Sequence, residues 1–433
     1  MRRPDGLDGA RRRRRGIRVE IGDRPQYRTR FLLLGYTWRM NEPARHVPLR
    51  PIAWNESEAK LAIEDIVADA LAHFDAERFW PAHPLDEGIR DGHTSFYFGA
   101  TGMVWGIDYL GRTGATKARF DFRPVLSRLL EVSQAAFAKW SYAAHGSLLF
   151  GDLGTALVVM RLDPASAIAD LIHARADANT TLPVRELMWG LPGSMIACVH
   201  MGAMTTEPRW QALFAIQAAR LLDELEETDK GPLWTQDLYG NQRRYLGPVH
   251  GYAGNMIALM RAWEWLTEDQ RARVAGAVPR TLAANAWRSE LGTSWRSVAD
   301  REEAPRLCQH CHGAPGMVTA FADAPFTSPE LEELLHEGGN FVWAAGPLAK
   351  GSNLCHGTGG NGYAFLKLYR RTNDATWLER ARAFAMTAIA QYREACAEFG
   401  RGRYSLWTGD IGLAVYLRDC LTAEAQFPTI DVF

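Results

Sequence analysis

Cysteine is scarce for a chain of this length: six among 433 residues, at Cys198, Cys308, Cys311, Cys355, Cys396 and Cys420. So few, and so scattered, exclude a disulfide scaffold and fit a reducing, cytoplasmic setting. Long apolar runs are missing as well. No stretch reaches the roughly 18 residues that a membrane-spanning helix needs, and the first residues lack the apolar segment of a secretory signal. Neither sign of charge prevails, with 49 Lys and Arg against 50 Asp and Glu and a formal net charge of -1. The chain as a whole therefore has no electrostatic pull toward nucleic acid or an acidic membrane. Strand signals are thin, and short extended pieces are expected only near residues 32–38 and 241–245.

What is abundant is apolar and aromatic surface. Hydrophobic residues make up 47% of the chain and there are 15 Trp, enough for a large core with rings packed between helices or lining a cavity. One stretch departs from this average. Residues 1–31 carry Arg2, Arg3 and a run of Arg at 11–15, with almost nothing apolar before Phe31. A block of like charge reads as a self-repelling, disordered tail before it reads as an RNA-binding arm. A third reading starts translation at Met40, just ahead of the globular pattern. The expected organisation is a basic, disordered extension over residues 1–50 and one domain over 51–433.

Helical periodicity begins near Trp54, where Asn55 is placed to cap a run with apolar positions at Leu61, Ile63, Ile66, Val67, Ala70 and Leu71. From there one unit recurs: a loop, a Gly-x-x-Gly element, an apolar helix, a turn and a more polar amphipathic helix. Seven glycine pairs mark it: Gly99/Gly102, Gly151/Gly154, Gly190/Gly193, Gly251/Gly254, Gly313/Gly316, Gly357/Gly360 and Gly409/Gly412. Their spacing averages about 52 residues, the length of a helical hairpin with its loops. The glycines themselves need only a structural role, letting crowded helix starts approach one another. Helices entered from the glycines are apolar all round and belong to an inner layer; the intervening amphipathic ones form an outer layer. The predicted fold is all-α, an α/α toroid of seven helical hairpins with the glycine loops at one end of the hole.

Aligning the repeats on the first glycine exposes what varies. The residue just before it is Phe98, Phe150, Trp189, His250, His312, His356 or Thr408, so imidazole occupies three consecutive repeats. One place earlier, cysteine stands in the fifth and sixth, in CHGAPGMVTAF at residues 311–321 and CHGTGGNGYAFL at 355–366. A closed ring carries Cys311 and Cys355 to neighbouring points on one rim. Two thiolates and a histidine there suit a zinc ion, and three protein ligands leave a fourth position open. Cys308 and His310 extend the cluster, but no thioredoxin-like strand pattern surrounds them to support a redox role. Cys198, Cys396 and Cys420 fall within helical runs and read as core.

The motifs HCHGAPG, LCHGTGGNGYAFL and YSLWTGDIG, with GDLG at 151–154, YLGPVHGYAGN at 245–255 and the final AQFPTIDVF, resemble the lanthionine synthetase C-like proteins. The resemblance runs from about residue 90 to the last residue and leans toward the stand-alone branch also found in animals. It implies an α/α toroid with one catalytic Zn2+ per chain, held by Cys311, Cys355 and His356, and roles near the metal for His250 and His312. His312 is the rival ligand, but its adjacency to Cys311 would strain simultaneous binding by both. Two departures set the chain apart from dedicated peptide cyclases: Ser147 stands where they carry Asp, with Asp152 inside the loop instead, and Leu307 stands where they carry Arg, with Arg306 beside it. Both match the stand-alone branch, for which glutathione is the implied thiol. Lys350 matches a glutathione-contacting position of that branch. Arg403, with Arg401, lies in a loop shorter than the family's, and Arg306 is the remaining cation that could face the site.

The chemistry implied is addition of an activated thiol, from glutathione or a Cys-containing peptide, to a dehydroalanine or dehydrobutyrine residue of a peptide or protein. His250 or His312 would supply the proton that the resulting enolate needs. A second reading keeps the toroid and zinc and gives a glutathione-binding or adaptor protein without turnover. A glycosidase would need two facing carboxylates, whereas the rim positions carry Cys and His.

Overall fold

The computed structural model describes residues 43–86, 92–137, 146–238 and 241–433. The Arg-rich stretch and the extended piece expected at 32–38 lie outside them. Seven helices begin directly after the first glycine of each repeat: α2 (Ala100–Arg112), α4 (Asp152–Leu162), α6 (Leu191–Thr205), α8 (Tyr252–Arg261), α10 (Ala314–Phe321), α12 (Thr358–Thr372) and α14 (Asp410–Thr422). Each has that glycine as its N-cap. Seven others alternate with them: α1 (Glu56–Ala72), α3 (Leu126–Phe137), α5 (Ser166–Asn179), α7 (Pro208–Asp223), α9 (Glu268–Ala284), α11 (Pro329–Ala345) and α13 (Ala375–Phe399).

The two sets differ as their composition dictates. Every residue of α10 is buried, which only an apolar helix surrounded by protein tolerates. In α7 the buried positions are Trp210, Leu213, Phe214, Gln217, Ala218, Leu221 and Leu222, the three- and four-residue spacing of a one-sided face. Burying each of its Leu and Phe side chains is worth about 1.5–3 kcal/mol. Asn55 caps α1 as expected, its side chain accepting from the Glu58 amide at 3.1 Å.

Consecutive inner helices pack against one another, and α14 returns to pack on α2, so the inner layer is a closed ring. The second glycine of each pair shows why the motif is kept. A Cβ at Gly360 would stand 1.7 Å from the carbonyl oxygen of Leu354 in its own loop and 3.2 Å from Cβ of His310 in the preceding repeat. At Gly102 the corresponding neighbour is Cβ of Leu406, at 2.7 Å. First and seventh repeats therefore meet through the same contact as fifth and sixth.

Strands are few. β1 (Gln236–Leu238) pairs with β2 (Asn241–Arg243); β2 falls within the extended piece expected at 241–245, and β1 precedes it. A second hairpin, β3 (Ala286–Ser289) with β4 (Gly292–Trp295), was not foreseen, because four-residue strands fall below what periodicity resolves. It serves the core through Trp295, buried and donating from Nε1 to the Leu282 carbonyl at 2.9 Å. Residues 43–50, within the range assigned to the extension, are already tied to the body. The Val47 amide bonds to Pro347 O at 2.9 Å, and the Ala349 amide to Arg45 O at 2.8 Å.

Residues 427–433 run among the inner helices. His200 of α6 bonds to the Thr429 carbonyl at 3.0 Å, Arg261 of α8 to the Asp431 carbonyl at 2.7 Å, and the buried Lys367 of α12 pairs with the Asp431 carboxylate. Phe427 stacks on His310, with centroids 4.3 Å apart and planes at 12°. Phe433 packs against Phe96.

Candidate functional site

The site is built where the loops enter the inner helices. Two residues before the first glycine stand Tyr97, Cys311, Cys355 and Trp407 in the first, fifth, sixth and seventh repeats, and backbone hydrogen bonds join them in sequence. The Cys311 amide bonds to Cys355 O at 3.2 Å, the Cys355 amide to Trp407 O at 2.9 Å, and the Trp407 amide to Tyr97 O at 3.2 Å. Cys311 and Cys355 thus stand side by side on the rim, as the closed ring requires, 8% and 3% exposed.

Their thiols face each other closely enough to share a proton. The hydrogen bond from Cys355, then the bond from Gln309 and the positive charges of His250 and Lys350, outweigh burial and pull Cys311 down to about 7. The same shared bond, reinforced by burial, pushes Cys355 up. One sulfur of the pair is therefore ready to be a thiolate near neutral pH while the other holds the proton. Tyr97 Oη donates to Cys355 Sγ at 2.6 Å, and Gln309 Nε2 donates to Cys311 Sγ at 2.9 Å. All six cysteines are free. Burial pushes the Cys308 thiol well up, which leaves it inert rather than redox-active.

The three histidines differ in their state. His356 is held by its amide, which donates to Asn353 Oδ1 at 3.0 Å. Burial first, then the charges of Lys350, Arg403 and Arg45, bring its ring down to about 3, so it is neutral, the form in which imidazole binds a metal. His312 is likewise brought to about 3, by burial and by the charge of His250. His250 goes the other way. Burial lowers it, but a 2.8 Å hydrogen bond from Nδ1 to Glu186 Oε2, the charge of that carboxylate and the charge of Cys311 together raise it. The rings of His250 and His312 lie 6.3 Å apart, at 29°.

The predicted cations are spread around the pair. Lys350 is exposed, and its charge reaches Cys311, Cys355 and His356. Arg403 acts on His356, but its guanidinium is committed to Asp86 Oδ1, at 2.7 Å from Nε. Arg306 is exposed on the loop leading to Cys308. Asp152 is fully buried and paired with Arg175 of α5 at 2.9 Å. Ser147 bonds to the Met188 carbonyl. Neither supplies a carboxylate to the rim.

Sequence reasoning missed Tyr97, Gln309, Glu186 and Arg45. Tyr97 carried a signal, because it occupies in the first repeat the place that Cys311 and Cys355 occupy in theirs. Glu186 lies four residues before Gly190, but nothing in the sequence pairs it with His250.

The donor chemistry suits zinc: two free thiols, one of them poised to ionise, and a neutral imidazole on the next residue. The three are not gathered into one grip. Among the described residues no three His, Cys, Asp or Glu side chains are arranged to hold a metal ion. No described helix is long and apolar enough to cross a membrane.

A closed double ring of helices whose loop end presents paired cysteines and histidines defines an α/α toroid with a thiol-rich rim. The chain belongs to the lanthionine synthetase C-like protein family, whose model matches residues 60–432. It is 32% identical over 196 residues to the glutathione S-transferase LANCL1 of Danio rerio and 34% identical over 196 residues to the LanC-like protein GCL1 of Arabidopsis thaliana. Each alignment covers 44% of this chain, and they cover 47% and 44% of the two relatives, so the chain spans less than half the length of the curated relatives it matches. In fold it is similar to nisin cyclase, with a TM-score of 0.55, 13% identity and coverage of 85% of this chain and 98% of the other.

Proposed function

We propose that the protein joins a thiol to a dehydroalanine or dehydrobutyrine residue, forming a thioether, with zinc at Cys311, Cys355 and His356. The observation that carries this reading is the juxtaposition of the Cys311–Cys355 pair, one sulfur poised to ionise, with a histidine that Glu186 bonds and shifts toward its charged form. Bound there, zinc would supply the Lewis acidity that removes the proton of an incoming thiol.

The chain's own residues have the remaining tasks. The thiolate sulfur adds to the β-carbon, the C=C electron pair moves onto the carbonyl, and the α-carbon then takes a proton; an S–H and a π bond are consumed, and an S–C and a C–H bond are formed. Of the two histidines expected near the reaction, His250 fits the acid, because Glu186 favours its protonated form, while His312 at about 3 is a neutral imidazole near pH 7 and a far weaker acid. With Nδ1 bound to Glu186, Nε2 is the atom that delivers the proton. His312, being neutral, is assigned a hydrogen bond to the acceptor. Lys350, Arg403 and Arg306 are the proposed partners for carboxylates of the thiol, which fits glutathione, and Arg403 must then exchange Asp86 for substrate. The names of the Danio rerio and Arabidopsis relatives support the stand-alone branch.

The test is to incubate the full chain with glutathione and a dehydroalanine peptide and follow the adduct by mass spectrometry, with zinc content measured in parallel. Wild-type protein should carry one zinc and form adduct, Cys355→Ala should lose both, and His250→Asn should keep zinc while losing about 10²–10⁴-fold in rate. Full activity in zinc-free Cys355→Ala would refute the proposal. The locking of Asp152 onto Arg175 favours a second reading, binding of glutathione without turnover. It predicts zinc and glutathione bound at a rate of adduct formation no greater than that of free zinc in buffer.

A further inference from the structure

Each rim sulfur receives one side-chain hydrogen bond from a residue that the mechanism above leaves without a task. Both donors are nearly enclosed, Tyr97 at 5% and Gln309 at 6% exposure. Both are also held from behind. The Tyr97 ring lies between Phe150 and Trp407, stacked on each at 5.4 and 5.5 Å, and its backbone is fixed on both sides, to Leu149 and from Trp407. Gln309 is oriented at its other end, where Arg45 Nη2 donates to Oε1 at 3.3 Å, so that the amide nitrogen is the end turned to Cys311. Packing alone explains neither polar group: a phenyl ring fills the Tyr97 slot and an unbranched thioether fills that of Gln309. Buried polar groups are retained where they have a partner to serve, and here each partner is a sulfur.

We infer that Tyr97 and Gln309 are the positioning residues of the metal centre, one donor for each sulfur, holding Cys311 and Cys355 in register and drawing charge from them. The inference rests on the proposal that these two cysteines are metal ligands. Hydrogen bonds to an ionised acceptor are the strong ones. By withdrawing electron density from sulfur they weaken its donation and leave a bound ion the stronger Lewis acid, which is the property that thiol activation uses. Partners in this outer position typically govern metal affinity by about 10–100-fold. The rim thus draws on a repeat beyond the two that carry the three proposed ligands, the first, whose Tyr97 closes the ring beside the seventh.

The experiment uses the full chain and its variants Tyr97→Phe and Gln309→Met, stripped of metal and titrated with Co2+ to read the sulfur-to-cobalt charge-transfer band, with zinc Kd measured by competition against a chromophoric chelator. Wild-type protein is expected to take up one ion and show the band. Each variant should shift it to longer wavelength, since an unbonded thiolate is easier to oxidise, and weaken zinc binding about tenfold or more. Circular dichroism checks that the variants fold. If Tyr97→Phe does not, Gln309→Met decides alone. A band position and Kd indistinguishable from wild type in the folded variants overturn the inference while leaving the metal site intact. A wild-type chain that binds neither Co2+ nor zinc removes the metal reading, and the inference with it.

Discussion

A buried carboxylate decides which histidine at the rim carries charge. Glu186 is fully enclosed and bonds to His250 Nδ1, and the trade between burial, which lowers the ring, and Glu186 and Cys311, which raise it, ends above the ordinary histidine value. A group protonated more readily in the fold than out of it stabilises the fold fully below its unfolded value, about 6.5. That contribution is lost as the pH rises through the higher folded value. Glu186→Gln leaves burial without its counterweight, so the His250 midpoint, followed by NMR titration of its ring protons, should fall below 6.5, and the extra stability below that pH should vanish. An unmoved midpoint would show that Glu186 does not set the charge. At this scale the sequence was legible where chemistry is written in the residue type: Cys311, Cys355 and the three histidines announce themselves. Glu186, Gln309 and Arg45 did not, because Glu, Gln and Arg are common surface residues whose meaning here depends on partners far along the chain, such as His250 for Glu186.

Among elements, the segment 427–433 has the least helical character and a disproportionate share of buried charge. Lys367, with a side chain only 1% exposed, pairs with both Asp323 and Asp431, and Asp431 also accepts from the Phe427 amide at 2.7 Å and pairs with Arg261. Around these residues lies a cavity of about 40 Å³ that His310, Trp407 and Phe427 also line. Asp431→Ala leaves the buried ammonium half-matched and frees the segment, so it should cost about 3 kcal/mol, read from urea unfolding. A loss below 1 kcal/mol would mean the segment is held by its aromatic contacts instead. The helices were readable because each is local and punctuated by its own glycine pair. This anchoring was not, nor was the pairing of residues 43–50 with the loop at 346–350, because both join positions distant in sequence.

The whole molecule is stabilised by closure, and closure is a property of every repeat at once. The contact of Gly102 with Leu406 joins the first repeat to the seventh, and a Cβ there would also stand 2.4 Å from Phe96 O. Gly102→Ala should therefore cost about 1–3 kcal/mol by overpacking the seam. Gly276→Ala, on an exposed turn of α9 where a Cβ meets nothing within 4 Å, should instead gain about 0.5–1 kcal/mol. Thermal melting of the two variants separates a seam glycine from an incidental one, and equal shifts would deny the seam any special role. The number of repeats and the two layers were legible from one alignment on glycine, because a closed ring must reuse the same joint seven times.

The placement of residues 427–433 among the inner helices has a consequence for traffic. His200, Arg261 and Lys367 hold that segment well along their helices from the starts where the sulfurs stand, so among the described residues the interior of the inner ring is occupied by chain on the side away from the rim. On the function proposed above, thiol and acceptor would both approach the sulfurs from the loop end, and the joined product would leave by the same side. A polypeptide acceptor would then be offered there as a bight or a free end rather than threaded.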